Sequence, residues 1–502
     1  MFKPTDEQVY INELIQLEKN VCVEALAGTG KSSTIRYVAQ QNKDKHFACL
    51  CFNAANAEEA NLHPDKPNNI IYLTVHGLAY HEIVTKRKGF RAKLGNYLDY
   101  NDLDDDKIKR ILSSQDRKEI NLVKKAIHET IVLFCRTDKS SLAEYAIFIL
   151  ACMFDKERKS ELYKCKELDH SVIDRLAQYI AHHWDNLIDG SNKVKITHDV
   201  YLKMYELEKV KIFTVQDKLT KIHSEVDVLI IDEFQDSNPV TLSIFLNQTR
   251  LQKMALGDEN QTIYSWRGAV GRLDCLKDFA PATLTTSFRF DSRIASLANQ
   301  ILAKQSSLRL IGAGGVSKVG SSAHLCRTNT SVLTASLEYI KQNKKVYANI
   351  DIKEVFAKLW HIDNARWNKP IKYPHKDLVN ITNSTTLDEM LQISEEVIQL
   401  TKLSEFFRNS FGGLVQAKKE LIDKLQSSAS KADVTVSTLH KSKGLEWNKV
   451  VIDDDFIKQD DDSLPVEEIL SSSKELRNLL YVGITRSRGD ILLPYYLTSY
   501  LS

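Results

Sequence analysis

The chain lacks a cysteine framework. Its eight cysteines, Cys22, Cys49, Cys51, Cys135, Cys152, Cys165, Cys275 and Cys326, are scattered, with no CxxC pair and no Cys/His cluster at zinc spacing. That argues against a disulfide scaffold and against a zinc module of the finger type. Cys22, Cys49, Cys51 and Cys326 sit inside apolar, strand-like runs and read as buried thiols. Cys135, Cys152 and Cys165 share one helical region but have no fourth ligand. Reduced thiols suit an intracellular compartment. A membrane span is missing too: the longest apolar run, Ala146 to Phe154, is too short to cross a bilayer. The opening Met1-Phe2-Lys3-Pro4-Thr5-Asp6-Glu7-Gln8 is not a signal peptide. Nor is there a charge of one dominant sign. With 68 basic and 66 acidic residues the net charge is +2, so a nucleic-acid partner would need basic residues gathered locally. No internal repeat or long low-complexity tract occurs.

What is present is enough apolar material for two to four compact units in 502 residues, 43% hydrophobic and 27% charged. Val21 to Ala25 is a short apolar run that leads into a glycine-containing turn, and helical periodicity follows from Ser32 to about Gln41. Further strand-like runs are Phe47 to Phe52, Ile70 to Thr74, Val226 to Ile231 and Met254 to Gly257. Strands alternating with helices predict an α/β fold with a parallel sheet covered on both faces. Between about 90 and 210, segments 116–135 and 171–188 place apolar residues three and four apart, predicting a helical insertion. A second α/β unit is expected from near 280, with strands at Ala282 to Leu284, His324 to Arg327, Val434 to Ser437, Val450 to Ile452 and Ile491 to Leu493. A mainly helical stretch fills about 340–430, and Asp453 to Asp455 with Asp460 to Asp462 reads as an acidic, solvated loop.

The tract Ala25-Leu26-Ala27-Gly28-Thr29-Gly30-Lys31-Ser32 follows a strand and opens a helix, the context that gives a P-loop match its meaning, although Ala25 replaces the usual first glycine. Backbone N–H groups of Ala27, Gly28, Thr29 and Gly30, with Lys31, Ser32 and Ser33 at the helix start, would surround the phosphates of ATP. Lys31 would offset phosphate charge and Ser32 would ligate Mg²⁺. Val228-Leu229-Ile230-Ile231 is a buried strand that delivers Asp232 and Glu233 at its C-terminal end, where open α/β sheets bind ligands. Asp232 would hold Mg²⁺ and Glu233 would orient and deprotonate the attacking water.

These tracts and several others occur in the order of one family. They are Gln8, the P-loop, Phe52-Asn53-Ala54-Ala55, Thr74-Val75-His76, Asp232-Glu233-Phe234-Gln235-Asp236, the stretch Gly257 to Ala269, Ser287-Phe288-Arg289, Thr438 to Glu446, and Tyr481 to Arg488. The chain resembles superfamily 1A DNA helicases of the UvrD/Rep type, and within them the catalytic region of the F-box DNA helicase group. The resemblance implies two RecA-like domains, residues 1–90 with 210–280 and residues 281–340 with 431–502. Helical insertions would occupy 91–209 and, in reduced form, 341–430. It implies that Gln8 reads the adenine edge, Phe288 stacks on adenine where Tyr is usual, Gln261 senses the γ-phosphate, and Arg289 and Arg486 act as arginine fingers. Gly444 and Glu446 would complete the nucleotide site, Glu446 on the ribose. Phe52 and Trp266 would stack on bases, with Asn53, Thr74, His76, Arg267, Thr438 and His440 on backbone or neighbouring bases.

The activity so implied is 3′-to-5′ movement on single-stranded DNA and at single-strand/duplex junctions, driven by ATP and Mg²⁺ between the two domains. Only about 150 residues separate Arg289 from Ser437, so the second insertion is expected to be small. That favours weighing a strand translocase, or a motor needing a partner subunit, beside an autonomous helicase. A non-enzymatic P-loop scaffold and an RNA helicase are the other readings, both disfavoured. A monomer is expected, cytoplasmic in a bacterium or phage and nuclear in a eukaryote. With no F-box or nuclease segment recognised, targeting is expected from a protein partner.

Overall fold

The computed structural model describes residues 3–154, 168–212, 214–216, 223–263, 273–314, 320–373, 375, 378, 381–391, 394–457 and 464–501. The chain forms two compact units, residues 1–25 with 30–284, and residues 26–29 with 285–502.

In the first unit, the described residues before 285 form the strands β1 (Val21–Ala25), β2 (Phe47–Cys51), β3 (Ile70–Thr74), β4 (Thr214–Gln216), β5 (His223–Glu225), β6 (Val228–Asp232), β7 (Gln252–Gly257) and β8 (Ala280–Leu284). Six of them form one sheet in the order β3-β2-β6-β7-β1-β8, parallel throughout. β4 and β5 pair antiparallel as a separate two-stranded sheet. Alternation explains why the strands are apolar along their whole length. Val21, Val23, Cys49, Val228, Ile230 and Met254 pack on one face with Ile11, Ile35 and Val38 from the flanking helices. Cys22, Ala48, Leu50, Leu229, Ile231 and Ala255 face the other way. There the core continues into the helical insertion, whose long helices are Arg117–Phe134, Leu142–Met153 and His170–Ile188. Both faces being covered is the arrangement that requires such strands. Lys93, fully buried, donates to the Asn186 and Leu187 carbonyls at the end of helix His170–Ile188. A cation there complements the helix dipole.

One strand expectation is corrected. Ala280–Leu284 pairs with β1, Val21 opposite Ala280 and Ala25 opposite Leu284, and so closes the first sheet instead of opening the second. Pro281 is tolerated because β8 is an edge strand.

The second unit contains β9 (Thr286–Ser287), β10 (Ile311–Gly312), β11 (Ser322–Cys326), β12 (Val346–Asn349), β13 (Val434–Thr438), β14 (Trp447–Ile452) and β15 (Ser487–Leu492). Its main sheet runs β12-β13-β11-β14-β15, again all parallel. β12 falls inside the stretch read as helical from sequence: Val346–Asn349 is an edge strand of this sheet. Beyond it, helices Ile352–Arg366, Ser384–Leu391, Glu395–Phe411 and Leu414–Lys424 pack around a core shared with Leu333 and Leu337 of helix Asn329–Lys341, in which the Phe356 and Phe407 rings stack at 5.5 Å. No described helix is long and apolar enough to cross a membrane.

Candidate nucleotide and strand-binding site

In the first unit, parallel pairing brings the C-terminal ends of β1, β6 and β7 to one edge of the sheet, with Glu24 opposite Gly257 and Asp232 opposite Leu256. The helix Lys31–Gln41 starts at Gly30, whose φ of 83° is left-handed, a conformation glycine adopts without strain. Lys31 Nζ lies 3.0 Å from Glu233 Oε1. Burial disfavours the ammonium, yet the carboxylates of Glu233, Asp232 and Asp258 outweigh it and raise the Lys31 pKa. Burial, reinforced by Glu233 and opposed by Lys31, pushes Asp232 up to about 6. Asp258, fully buried, is also raised by burial, against hydrogen bonds from Gln261 and Asn260.

Glu233 has a left-handed backbone, φ 54° and ψ 44°. Its N–H donates to Asp232 Oδ1 at 3.0 Å. The Gln235 amide, with the residue wholly buried, donates to Glu233 Oε2 at 2.6 Å and accepts from the Asp258 N–H at 3.1 Å. Gln261 donates to Asp258 Oδ2 at 2.7 Å. A Cβ on Gly257 would meet Gln235 Oε1 at 2.3 Å and the Phe234 ring at 2.5 Å. Only glycine lets the end of β7 come this close.

Gln8 is placed differently from a residue reaching freely toward a base. It is buried at the start of helix Asp6–Gln16, where its Oε1 accepts from the Thr5 N–H and its amide donates to the Thr34 hydroxyl. Both ends of the amide thus have partners inside the protein. Ser32 is exposed at the helix start, and the Ser33 hydroxyl accepts from Arg36.

In the second unit, residues Leu26–Thr29 group with the tract after β8. The Ala27 N–H donates to the Tyr481 hydroxyl at 3.1 Å, and Phe288 N–H to the Gly28 carbonyl at 2.9 Å. Thr29 donates its hydroxyl to the Leu26 carbonyl. A Cβ on Gly28, whose φ is 75°, would meet Ser287 Oγ at 2.5 Å and Arg289 Cβ at 2.8 Å. Phe288 is half exposed, as an aromatic stacking platform must be.

Arg289 Nε donates to Glu446 Oε2 at 2.7 Å, and its Nη1 to the Thr485 carbonyl. The second Glu446 oxygen pairs with Arg488. Glu446 therefore bridges two guanidiniums. Arg486, expected as an arginine finger, has its guanidinium engaged within the protein. Only 2% exposed, it donates to the Val482 and Leu445 carbonyls and to the Thr485 hydroxyl. Gly444, at φ 84°, turns the chain before Glu446.

Of the expected strand-binding residues, Phe52 and Asn53 follow β2, and Thr74 and His76 lie at and just beyond the end of β3, with Cys51 opposite Thr74. Phe52 and His76 are exposed. His76 meets Tyr201 edge-on at 6.3 Å. Asn53 and Thr74 are helix caps, accepting from the Asn56 and Gly77 N–H groups. Thr438 ends β13 and is buried, accepting from the Lys441 N–H. His440 follows it, half-buried, its pKa lowered by burial and by Arg327 against Glu475. Trp266 and Arg267 lie outside the described residues.

Four residues with clear positions here had no role assigned from sequence: Gln235, Asp258, Tyr481 and Arg488. All lie within the tracts that carried the resemblance. The signal was present, but their partners are distant in the chain.

The UvrD/REP helicase N-terminal domain matches residues 6–277, and the UvrD-like helicase C-terminal domain matches residues 433–493. The chain belongs to the UvrD/REP helicase family. Among relatives of the family, F-box DNA helicase 1 of Gallus gallus is 26% identical over 99% of this chain and 49% of its own length. F-box DNA helicase protein 1 of Schizosaccharomyces pombe is 25% identical over 94% of this chain and 55% of its own. ATP-dependent DNA helicase UvrD2 of Mycobacterium tuberculosis is 25% identical over 54% of this chain and 47% of its own. The chain spans about half the length of these relatives.

Family membership implies ATP and Mg²⁺, and the donors present fit both. The Asp232 carboxylate and Ser32 hydroxyl are hard oxygen ligands of the kind Mg²⁺ takes. Lys31 supplies the cation for phosphate oxygens.

Proposed function

We propose that this chain is an ATP-driven motor on single-stranded DNA that moves 3′ to 5′ and separates strands at single-strand/duplex junctions. The observation that carries it is the cluster at the ends of β1 and β6, with Lys31 Nζ 3.0 Å from Glu233 Oε1 and Asp232 alongside. Lys31 binds the phosphates, and Ser32 and Asp232 would hold Mg²⁺, which supplies charge neutralisation on the phosphate oxygens. Glu233 accepts the proton of the attacking water, and Gln235 keeps its carboxylate in place. By resemblance to the family, Arg289 would stabilise charge on the transferred phosphoryl group. In this reading Arg486 is a positioning residue, since its guanidinium is bound to carbonyls around Thr485, the residue whose own carbonyl receives Arg289.

In the first unit the strand would be gripped by exposed Phe52 with Asn53, Thr74 and His76; Thr438 and His440 are the strand-contacting candidates of the second unit. Bases stack on aromatic rings regardless of sequence, so grip and step are compatible. The names of the relatives, all DNA helicases, support DNA over RNA. A second reading is a translocase that separates duplex only with a partner. It is favoured by the small size of the insertion between β12 and β13, whose helices share one core with the helix Asn329–Lys341.

The test pairs single-strand-stimulated ATP hydrolysis with displacement of a strand from duplexes bearing a 3′ or a 5′ tail. Stimulated hydrolysis, abolished by Lys31→Ala and Glu233→Gln, with displacement on the 3′-tailed substrate alone, is expected. Hydrolysis without displacement would leave the translocase. Turnover unaffected by both substitutions would overturn the motor reading.

A further inference from the structure

We propose that His324, Cys326 and Asp453 form a divalent-cation site, best matched to Zn²⁺, in the sheet of the second unit. His324 and Cys326 are two apart on β11 and so share one face of the sheet. Asp453 follows β14, which pairs with β11 with Val451 opposite His324. The parallel register therefore delivers an imidazole, a thiol and a carboxylate to one place. Their ligand atoms all lie within 4.8 Å of one another, and His324 Nε2 is 2.8 Å from Asp453 Oδ2.

Outer partners orient each ligand. His324 Nδ1 is 3.2 Å from the Tyr339 hydroxyl, and Asp453 Oδ1 accepts from the Asp455 N–H at 2.9 Å. Nε2, Oδ2 and Sγ are thereby left to face one another. Metal-binding histidines and carboxylates are characteristically fixed through their second atom in this way. Asp455, two residues beyond Asp453, is held by the Arg327 and Thr328 N–H groups, which fixes the turn that carries Asp453.

Zinc takes nitrogen and sulfur at roughly 2.0–2.3 Å in tetrahedral geometry, which sets neighbouring ligand atoms roughly 3.3–3.8 Å apart. His324 and Asp453 would part by about half an ångström from their hydrogen bond, a change within side-chain reach. A thiolate in the set favours Zn²⁺ over Mg²⁺. On binding, the thiol proton is released to solvent, and the ring proton resides on Nδ1, donated to Tyr339. The bound ion would tie the end of β14 to β11 just before the Arg327-Thr328 turn.

The test uses the whole chain, stripped with chelator and titrated with Co²⁺ as a spectroscopic substitute. One equivalent should bind with an intense thiolate-to-cobalt absorption in the near ultraviolet, and Zn²⁺ should displace it. Cys326→Ser should remove the band. Asp453→Asn should weaken binding at least tenfold, and Tyr339→Phe, which leaves all three ligands, by about 10- to 100-fold. Circular dichroism establishes that each variant is folded. No band in folded wild-type protein, or a band that survives Cys326→Ser, would overturn the site. Unchanged affinity in Asp453→Asn would do the same.

Discussion

Gln235 holds Glu233 from behind, its amide donating to Oε2 at 2.6 Å while its own carbonyl accepts from the Asp258 N–H. Glu233 Oε1, the other oxygen, points to Lys31. The carboxylate proposed as general base is thus fixed at both oxygens.

Gln235→Leu should unfix it. We expect kcat for ATP hydrolysis to fall about 100-fold, the scale of an ångström-sized misplacement of a catalytic group, with KM for ATP little changed. The buried Asp258 N–H would lose its acceptor, at a cost of about 1–3 kcal/mol in stability. Steady-state kinetics beside a thermal melt would check both, and wild-type kcat would count against the positioning role.

Glu446 offers a choice between two roles that kinetics can separate. As a bridge between Arg289 and Arg488, it should act on the arginine. Glu446→Gln would then lower kcat roughly tenfold, a modest share of what an arginine finger supplies. The ratio of KM for ATP to KM for dATP would not move. A reader of the ribose predicts the reverse, a changed ATP-to-dATP ratio at constant kcat.

Phe288, half exposed beside Gly28, should carry part of the affinity for the base. Stacking of a base on an aromatic ring is worth about 1–3 kcal/mol. Phe288→Ala should therefore raise KM for ATP at least about fivefold, while Phe288→Tyr retains it. Equal KM values in all three proteins would remove Phe288 from the nucleotide site.

Acid should loosen the helical insertion of the first unit. His128 and His183 stack with centroids 6.4 Å apart, both nearly inaccessible. Burial depresses each to about 4, and for His128 the neighbouring His183 adds to the effect. In the unfolded chain they titrate near 6.5. Below that pH the unfolded state takes up protons that the folded state refuses, so stability is full above about 6.5 and falls as pH drops toward 4. The limit is about 3 kcal/mol for each ring, at 1.36 kcal/mol per pH unit. Urea midpoints measured from pH 7 to pH 4.5 should fall, and fall less steeply in a His128→Gln, His183→Gln variant. Parallel curves for the two proteins would show that other groups set the acid response.

The P-loop and the Asp232-Glu233 pair were legible because phosphate chemistry demands contiguous residues at the end of a buried strand. Most strands were legible too, since a sheet covered on both faces leaves continuous apolar runs. The edge strands were harder. Ala280–Leu284 carries a proline and Val346–Asn349 is four residues long, and neither tells which sheet it will join. Side-chain partnerships were hidden by distance along the chain: Gln235 and Asp258 are 23 residues apart, Arg289 and Glu446 are 157. The acidic run at Asp453 to Asp455 read as a solvated loop, yet Asp453 and Asp455 turn inward to His324, Arg327 and Thr328. For the same reason His324 and Cys326 showed no zinc spacing, because the third group lies 129 residues beyond His324.

The left-handed backbone at Glu233 also governs which substitutions there can be interpreted. A β-branched replacement would change the chain path as well as the chemistry, and glycine would ease the path while deleting the side chain. Glutamine keeps the size, the torsional preferences and a carbonyl oxygen for Gln235. It subtracts the charge, the basicity and the oxygen that faces Lys31, so position 233 is a place where the chemistry can be changed while the chain path is kept.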